Sequence, residues 1–280
     1  MKIISSPQLL QEEIIKLKRK GNTIGFVPTM GYLHDGHLSL IRRARKDCDV
    51  VVVSIFVNPL QFGPREDLKK YPRNFKKDSA LCKKYTDILF YPNVREMYPD
   101  DFLTEIEVNK LSNVLCGASR PGHFKGVATV VNKLFNIIFP DMAYFGQKDA
   151  QQAVIIKKMV KDLNIPADIK VMPTVREKDG LAMSSRNSYL SRQERGDAAV
   201  LYRSLILAKN MVKKGATDSN KIISKMRNLI LNKKSAKIDY ISIVNPETLD
   251  PLKKMNKQAL VLLAVFVGKT RLIDNILIRR

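Results

Sequence analysis

Short runs rich in Val and Ile alternate with amphipathic stretches over roughly the first 175 residues, and that alternation leaves few folds open. Thr23 to Thr29 is an apolar run closed by Pro28, Gly31 and Gly36, which reads as a buried strand followed by a tight turn. His37 to Lys46 then carries Leu38, Leu40, Ile41 and Ala44 at helical spacing, with Arg42, Arg43 and Arg45 on the opposite side. Asp49 to Val57 is almost continuously apolar, broken at Ser54, as expected of a strand buried on both faces of a parallel sheet. The same pattern predicts helices at Asn74 to Lys84, Gly126 to Phe139 and Ala150 to Leu163, and strands at Asp87 to Tyr91, Met142 to Phe145 and Asp168 to Met172. A doubly wound, Rossmann-like α/β domain follows, whose ligands bind beyond the carboxyl ends of the strands.

The pattern changes after about Ser185. Helical stretches near Arg192 to Lys214 and Asp218 to Asn232 precede strand-like runs at Lys237 to Val244, Ala259 to Val267 and Thr270 to Asp274. The expectation is a Rossmann-like domain over residues 1–175 and a smaller α+β domain over 176–280 that closes over a site between them.

Composition narrows the function class. The apolar run Ala259 to Val267 is far shorter than the ~20 residues of a membrane-spanning helix, and the first residues lack a secretory core, so a cytoplasmic protein without a membrane partner is expected. Cys48, Cys82 and Cys116 have no CxxC partner, which argues against a disulfide framework or a zinc knuckle. The formal charge of +22 admits either a polyanion-binding surface or compositional drift. Lys is spread over nearly every segment and not gathered into a patch, which favours drift and no nucleic-acid partner.

The most informative segment is Pro28-Thr29-Met30-Gly31-Tyr32-Leu33-His34-Asp35-Gly36-His37. Two of the chain's three histidines stand three apart at a strand-to-helix junction, where neutral imidazoles, free backbone N–H groups and the helix dipole all suit a phosphate. Gly36 would let a flat ring approach the backbone. A metal site and a plain helix cap remain alternative readings, although no third metal ligand lies nearby in sequence.

This segment resembles the HxGH signature of the nucleotidylyltransferase superfamily, and its flanks resemble the pantothenate synthetase (pantoate–β-alanine ligase) family. Further blocks match that family in order: Phe56-Val57-Asn58-Pro59-Leu60-Gln61-Phe62-Gly63, Tyr71-Pro72-Arg73, Arg120-Pro121-Gly122-His123, Phe145-Gly146-Gln147-Lys148-Asp149, Gln151-Gln152, Met183-Ser184-Ser185-Arg186-Asn187 and Gly268 to Asn275. The resemblance implies condensation of pantoate with β-alanine through a pantoyl-adenylate, with ATP carrying Mg²⁺ and no metal held by the protein alone, in a homodimer. It implies His34, His37, Lys148, Ser184 and Arg186 as catalytic. ATP would be bound by these and by Met30, Gly31, Gly36, Gly146, Asp149, Val175, Met183 and Ser185. Asn58, Gln61 and Gln152 would bind pantoate or β-alanine, and Tyr71, Arg120 and His123 would line or gate the site. Met183 to Arg186 resembles the KMSKS loop of class I tRNA synthetases. Gln147 stands where the family usually has an acid, and Ala150 where it often has an aromatic. Gly268-Lys269-Thr270 is no P-loop, because position 263 is Leu where that motif needs Gly. Two rivals stay open: another nucleotidylyltransferase or tRNA synthetase fragment, and a nucleotide sensor without catalysis.

Overall fold

The computed structural model describes residues 1–64 and 66–280, Arg65 lying outside the described residues. The chain opens with strand β1 (Lys2–Ile4) and helix α1 (Pro7–Arg19), followed by β2 (Ile24–Thr29), α2 (Asp35–Asp47), β3 (Val50–Ile55), α3 (Phe75–Cys82), β4 (Ile88–Phe90) and the short helices α4 (Val94–Met97) and α5 (Cys116–Ser119). Helix α6 (His123–Ile138), β5 (Met142–Gly146), α7 (Ala150–Asp162) and β6 (Asp168–Met172) complete a six-stranded parallel sheet of order β1-β4-β3-β2-β5-β6. The rest is α8 (Arg192–Ala198), α9 (Val200–Lys213), α10 (Ser219–Leu231) and an antiparallel sheet of β7 (Ala236–Val244), β8 (Gln258–Val267) and β9 (Thr270–Arg279). No helix among the described residues is long and apolar enough to cross a membrane.

The Rossmann-like sheet follows from its sequence pattern. Successive residues alternate faces: Phe26, Val50 and Val52 join the core under α1, α6 and α7, while Val27, Val51 and Val53 join the core under α2. Both faces are covered, which is why β3 reads as an apolar run broken only at Ser54. From β2 the chain winds outward through β3 and β4, then returns to the other side of β2 to build β5 and β6. The crevice at the carboxyl ends of β2 and β5 is therefore the topological switch point, where ligands of such sheets bind.

The small sheet is buried on both faces. Val261, Leu263 and Val265 of β8 pack with the helices α9 and α10, whereas Leu260 and Leu262 join the core of the parallel domain. The two parts share a core face, and β9 lies beside the site.

The structure departs from the expected elements in four places. No element was expected before Thr23, yet β1 and α1 are present; Ser6 accepts a bond from the Leu9 amide ahead of Pro7, and Leu10 and Ile14 are fully buried. The single helix expected near Arg192 to Lys214 is divided at Ala199. The strand expected to stop at Asp274 runs to Arg279, because β9 pairs with β8 along its whole length while Asp274 and Asn275 break the apolar pattern. Helix α6 begins at His123, three residues before the expected start, behind a left-handed Gly122.

The turn after β2 depends on one buried carboxylate. Gly31 and Tyr32 have φ of +82° and +50°, a conformation costly for Tyr32. Asp78 of α3, only 1% exposed, accepts the Tyr32 and Leu33 amides at 2.8 and 2.7 Å. Asp78→Ala leaves both buried donors unpaired, and each costs on the order of 1–3 kcal/mol. Urea unfolding is expected to show a loss of that order, and an unchanged midpoint would refute the role given to Asp78.

Candidate active site

Helix α2 starts with a reciprocal cap made of two histidines. His34 Nδ1 accepts the Gly36 amide at 3.1 Å, and His37 Nδ1 accepts the His34 amide at 3.4 Å. With each Nδ1 accepting, the hydrogen-bond pattern assigns the proton of each neutral ring to Nε2. The rings lie 4.1 Å apart between centroids. A Cβ on Gly36 would come within 2.8 Å of the His34 ring, so the glycine admits the capping imidazole itself. The capping rings also line the smaller cavity, so the helix-cap reading and the phosphate reading are compatible.

Burial keeps both imidazoles uncharged. His34 is lowered to about 4 by burial and then by Lys148, and His37 falls well below its ordinary value through burial, His34 and Lys148. His123 is likewise lowered to about 4, first by burial and then by Arg120.

The cleft has two lobes. The larger, of about 220 Å³, is lined by Gln61, Phe62, His123, Phe124 and residues of β8 and β9. The smaller, of about 170 Å³, is lined by His34, Gly36, Gly146, Val175, Met183 and Ser185. Met30, His37, Lys148, Asp149, Gln152, Ser184 and Arg186 line both, and so mark their junction. Of the residues expected to meet a nucleotide, only Gly31 lies off the cleft, as part of the turn behind it. Lys148 Nζ is 3.7 Å from Asp149, a loose pair that leaves the ammonium available.

The three amides differ in their freedom. Asn58, 1% exposed, accepts from the Leu60 amide and the Tyr98 hydroxyl and donates to Gln61 Oε1 and the Gly126 carbonyl. It is thus engaged by the protein and positions Gln61. A Cβ at position 126 would sit 2.3 Å from the Leu60 carbonyl oxygen, so glycine is required where α6 meets this turn. Among the described residues, Gln61 Nε2 donates only to the Met30 sulfur at 3.0 Å, a weak acceptor. Gln152 makes no side-chain hydrogen bond among the described residues and lines both lobes.

Several partners were not anticipated from sequence. Arg186 is held by Asp67 at 2.8 and 3.0 Å, and Arg120 by Glu66 at 2.6 and 2.7 Å. Burial would raise both carboxyls, yet their paired guanidinium groups hold them below the usual range. His123 Nδ1 donates to the Gln61 carbonyl at 2.8 Å while Nε2 accepts from Arg120 at 3.0 Å. Tyr71 bonds Ser185 Oγ at 3.2 Å, tying its loop to the Ser184–Arg186 segment. Gln147 donates through Nε2 to Asn275 Oδ1 at 3.0 Å.

A family model for pantoate–β-alanine ligase matches residues 2–277. The chain belongs to the pantoate–β-alanine ligase family. It is an enzyme of the ligase class, and its relatives agree along their whole lengths. The pantothenate synthetase of Caldicellulosiruptor saccharolyticus is 56% identical over 279 residues, covering 99% of both chains. The solved pantothenate synthetase of Thermus thermophilus superposes with a TM-score of 0.94 at 44% identity, over 99% of each chain. A Francisella tularensis pantoate–β-alanine ligase, solved with β,γ-ATP and β-alanine, superposes at 0.82 and 39% identity, over 99% of this chain and 97% of that one.

The buried imidazoles give a pH test. Their unfolded forms take up protons near pH 6.5 whereas the folded forms resist down to about 4 for His34 and His123. The unfolded state thus binds more protons in that window, so stability is full above about pH 6.5 and declines as pH falls toward 4. NMR titration of the imidazole C–H signals is expected to show His34, His37 and His123 neutral at pH 6; a midpoint at or above 6.5 for either residue of the α2 cap would contradict the burial account.

Proposed function

We propose that this chain joins pantoate to β-alanine in two steps, an ATP-dependent formation of a pantoyl-adenylate and its aminolysis by β-alanine, with ATP in the smaller lobe and pantoate in the larger. The carrying observation is the junction: the neutral His37, the loosely paired Lys148, Ser184 and Arg186 line both lobes. A carboxylate in one lobe and an α-phosphate in the other meet there.

In the first step a pantoate carboxylate oxygen forms a bond to the α-phosphorus, the bond to the β-phosphate oxygen breaks, and pyrophosphate leaves with the electron pair. Such a reaction needs positioning and charge neutralisation more than covalent help. His34 and His37 donate through Nε2, Lys148 neutralises the phosphate oxygens, and Ser184 and Arg186 follow the departing pyrophosphate. Gln61, oriented by Asn58, and the unengaged Gln152 read pantoate. In the second step the β-alanine amine attacks the acyl carbon, AMP leaves, and the nitrogen gives up a proton.

Mg²⁺ fits this site as an ion carried by the triphosphate, since it keeps most of its water and takes only one or two carboxylates. Asp149 lines both lobes and is the carboxylate placed to meet that ion or the ribose. The ion supplies neutralisation of phosphate charge. The reading extends to a cytoplasmic homodimer, which the family membership supports.

The nucleotide-sensor reading predicts ATP binding without turnover. AMP and pyrophosphate release with pantoate, ATP and β-alanine, each omitted in turn, decides: all three are expected to be required for pantothenate. Lys148→Ala removes one preorganised charge-stabilising donor, typically about 2.7–4 kcal/mol or 10²–10³ in rate. Single-turnover adenylation at saturating ATP is expected to fall by that order; a near wild-type rate there would leave Lys148 a binding residue only.

A further inference from the structure

We infer that Asn275, on the last strand of the C-terminal sheet, is a positioning residue that fixes Lys148 at the junction of the two lobes. This rests on the proposed role of Lys148 in adenylation.

Asn275 is 3% exposed and fully engaged. Its Nδ2 donates to the carbonyls of Gln147 and Lys148, both at 2.9 Å, and its Oδ1 accepts from Gln147 Nε2 at 3.0 Å. The amide cannot be flipped, because Oδ1 would then face two carbonyl oxygens. An NH₂ group is needed to satisfy two adjacent carbonyls at once, which among short side chains means Asn. Its own backbone amide donates to Asp274 Oδ1 at 2.8 Å.

That bond links Asn275 to the other loop of the nucleotide lobe. Asp274 receives two bonds from Arg176, at 2.6 and 3.0 Å, and Arg176 stacks on Tyr202 at 4.2 Å. Arg176 follows Val175, which lines the smaller lobe. The β9 pair Asp274–Asn275 therefore ties together Gln147–Lys148, after β5, and Val175–Arg176, after β6. Lys148 itself has a long flexible side chain without a tight partner, so its backbone anchor sets where the ammonium can reach. A displacement of about 1 Å at such a group can cost ~10²-fold.

The test compares wild type, Asn275→Ala, Asn275→Ser, Gln147→Ala, Lys148→Ala and the double variant Asn275→Ala with Lys148→Ala. Thermal unfolding identifies the folded variants, and Ser serves where Ala does not fold. Single-turnover adenylation at saturating ATP and pantoate is expected to slow about 10- to 100-fold on loss of the Asn275 donors, while ATP affinity changes less than about 3-fold. Because Asn275 acts through Lys148, the double variant is expected to be no slower than Lys148→Ala alone, the non-additivity of residues working as a unit. Gln147→Ala, which keeps both carbonyl bonds, is expected to stay within about 3-fold of wild type.

A folded Asn275 variant with the wild-type rate overturns the inference. So does a double variant slowed by the product of the single losses, or a Gln147→Ala loss equal to that of Asn275→Ala. A wild type that forms no adenylate overturns the parent reading and this one with it, and so is distinguishable from the other outcomes.

Discussion

The site depends on a turn held in a conformation its residues would not adopt alone. Gly31 and Tyr32 sit at positive φ, and Asp78 collects the two amides that this conformation aims inward. The turn delivers His34 to the N-cap of α2, where the two imidazoles satisfy helix amides through Nδ1 and keep Nε2 for a ligand. In the proposed reading, structural capping and phosphate recognition use opposite edges of the same rings. Burial then keeps the rings neutral, so they act as donors without adding fixed positive charge.

Charge at the junction is divided unequally. Arg186 at the junction, like Arg120 in the larger lobe, is paired bidentately with an acid from the segment before Tyr71, whereas among the described residues Lys148 has only the loose contact with Asp149. In the proposed reading, phosphate oxygens would share Arg186 with Asp67 but meet Lys148 without a strong competitor. That asymmetry would suit Lys148 to charge developing at the α-phosphate, and Arg186 to a group that moves as pyrophosphate leaves.

Much of this was legible in the sequence because it has a period. The parallel sheet, α2, α6 and α7 announce themselves through alternation and helical spacing, and the residues of the HxGH turn and the Gly146–Asp149 turn fall at strand ends where the fold places ligands. What was missed has no local signature. Asp78, Asp67, Glu66 and Asn275 act on partners between 45 and 128 positions away in sequence, so their value lies in tertiary contact. Asn58 sits in a matching motif at a strand end and lines the larger lobe, and nothing in the sequence signalled its bonds to Leu60, Tyr98, Gln61 and Gly126. The N-terminal helix did have a signal, Ser6 before Pro7 with Leu10 and Ile14 one turn apart.

In the proposed mechanism the cleft brings a pantoate carboxylate and the α-phosphate of ATP together before any amine is needed. Exchange of labelled pyrophosphate into ATP, with pantoate present and β-alanine absent, tests it most directly. Pantoate-dependent exchange at a rate comparable to overall turnover is the predicted result. Exchange that requires β-alanine would contradict an adenylate formed at the junction of the two lobes.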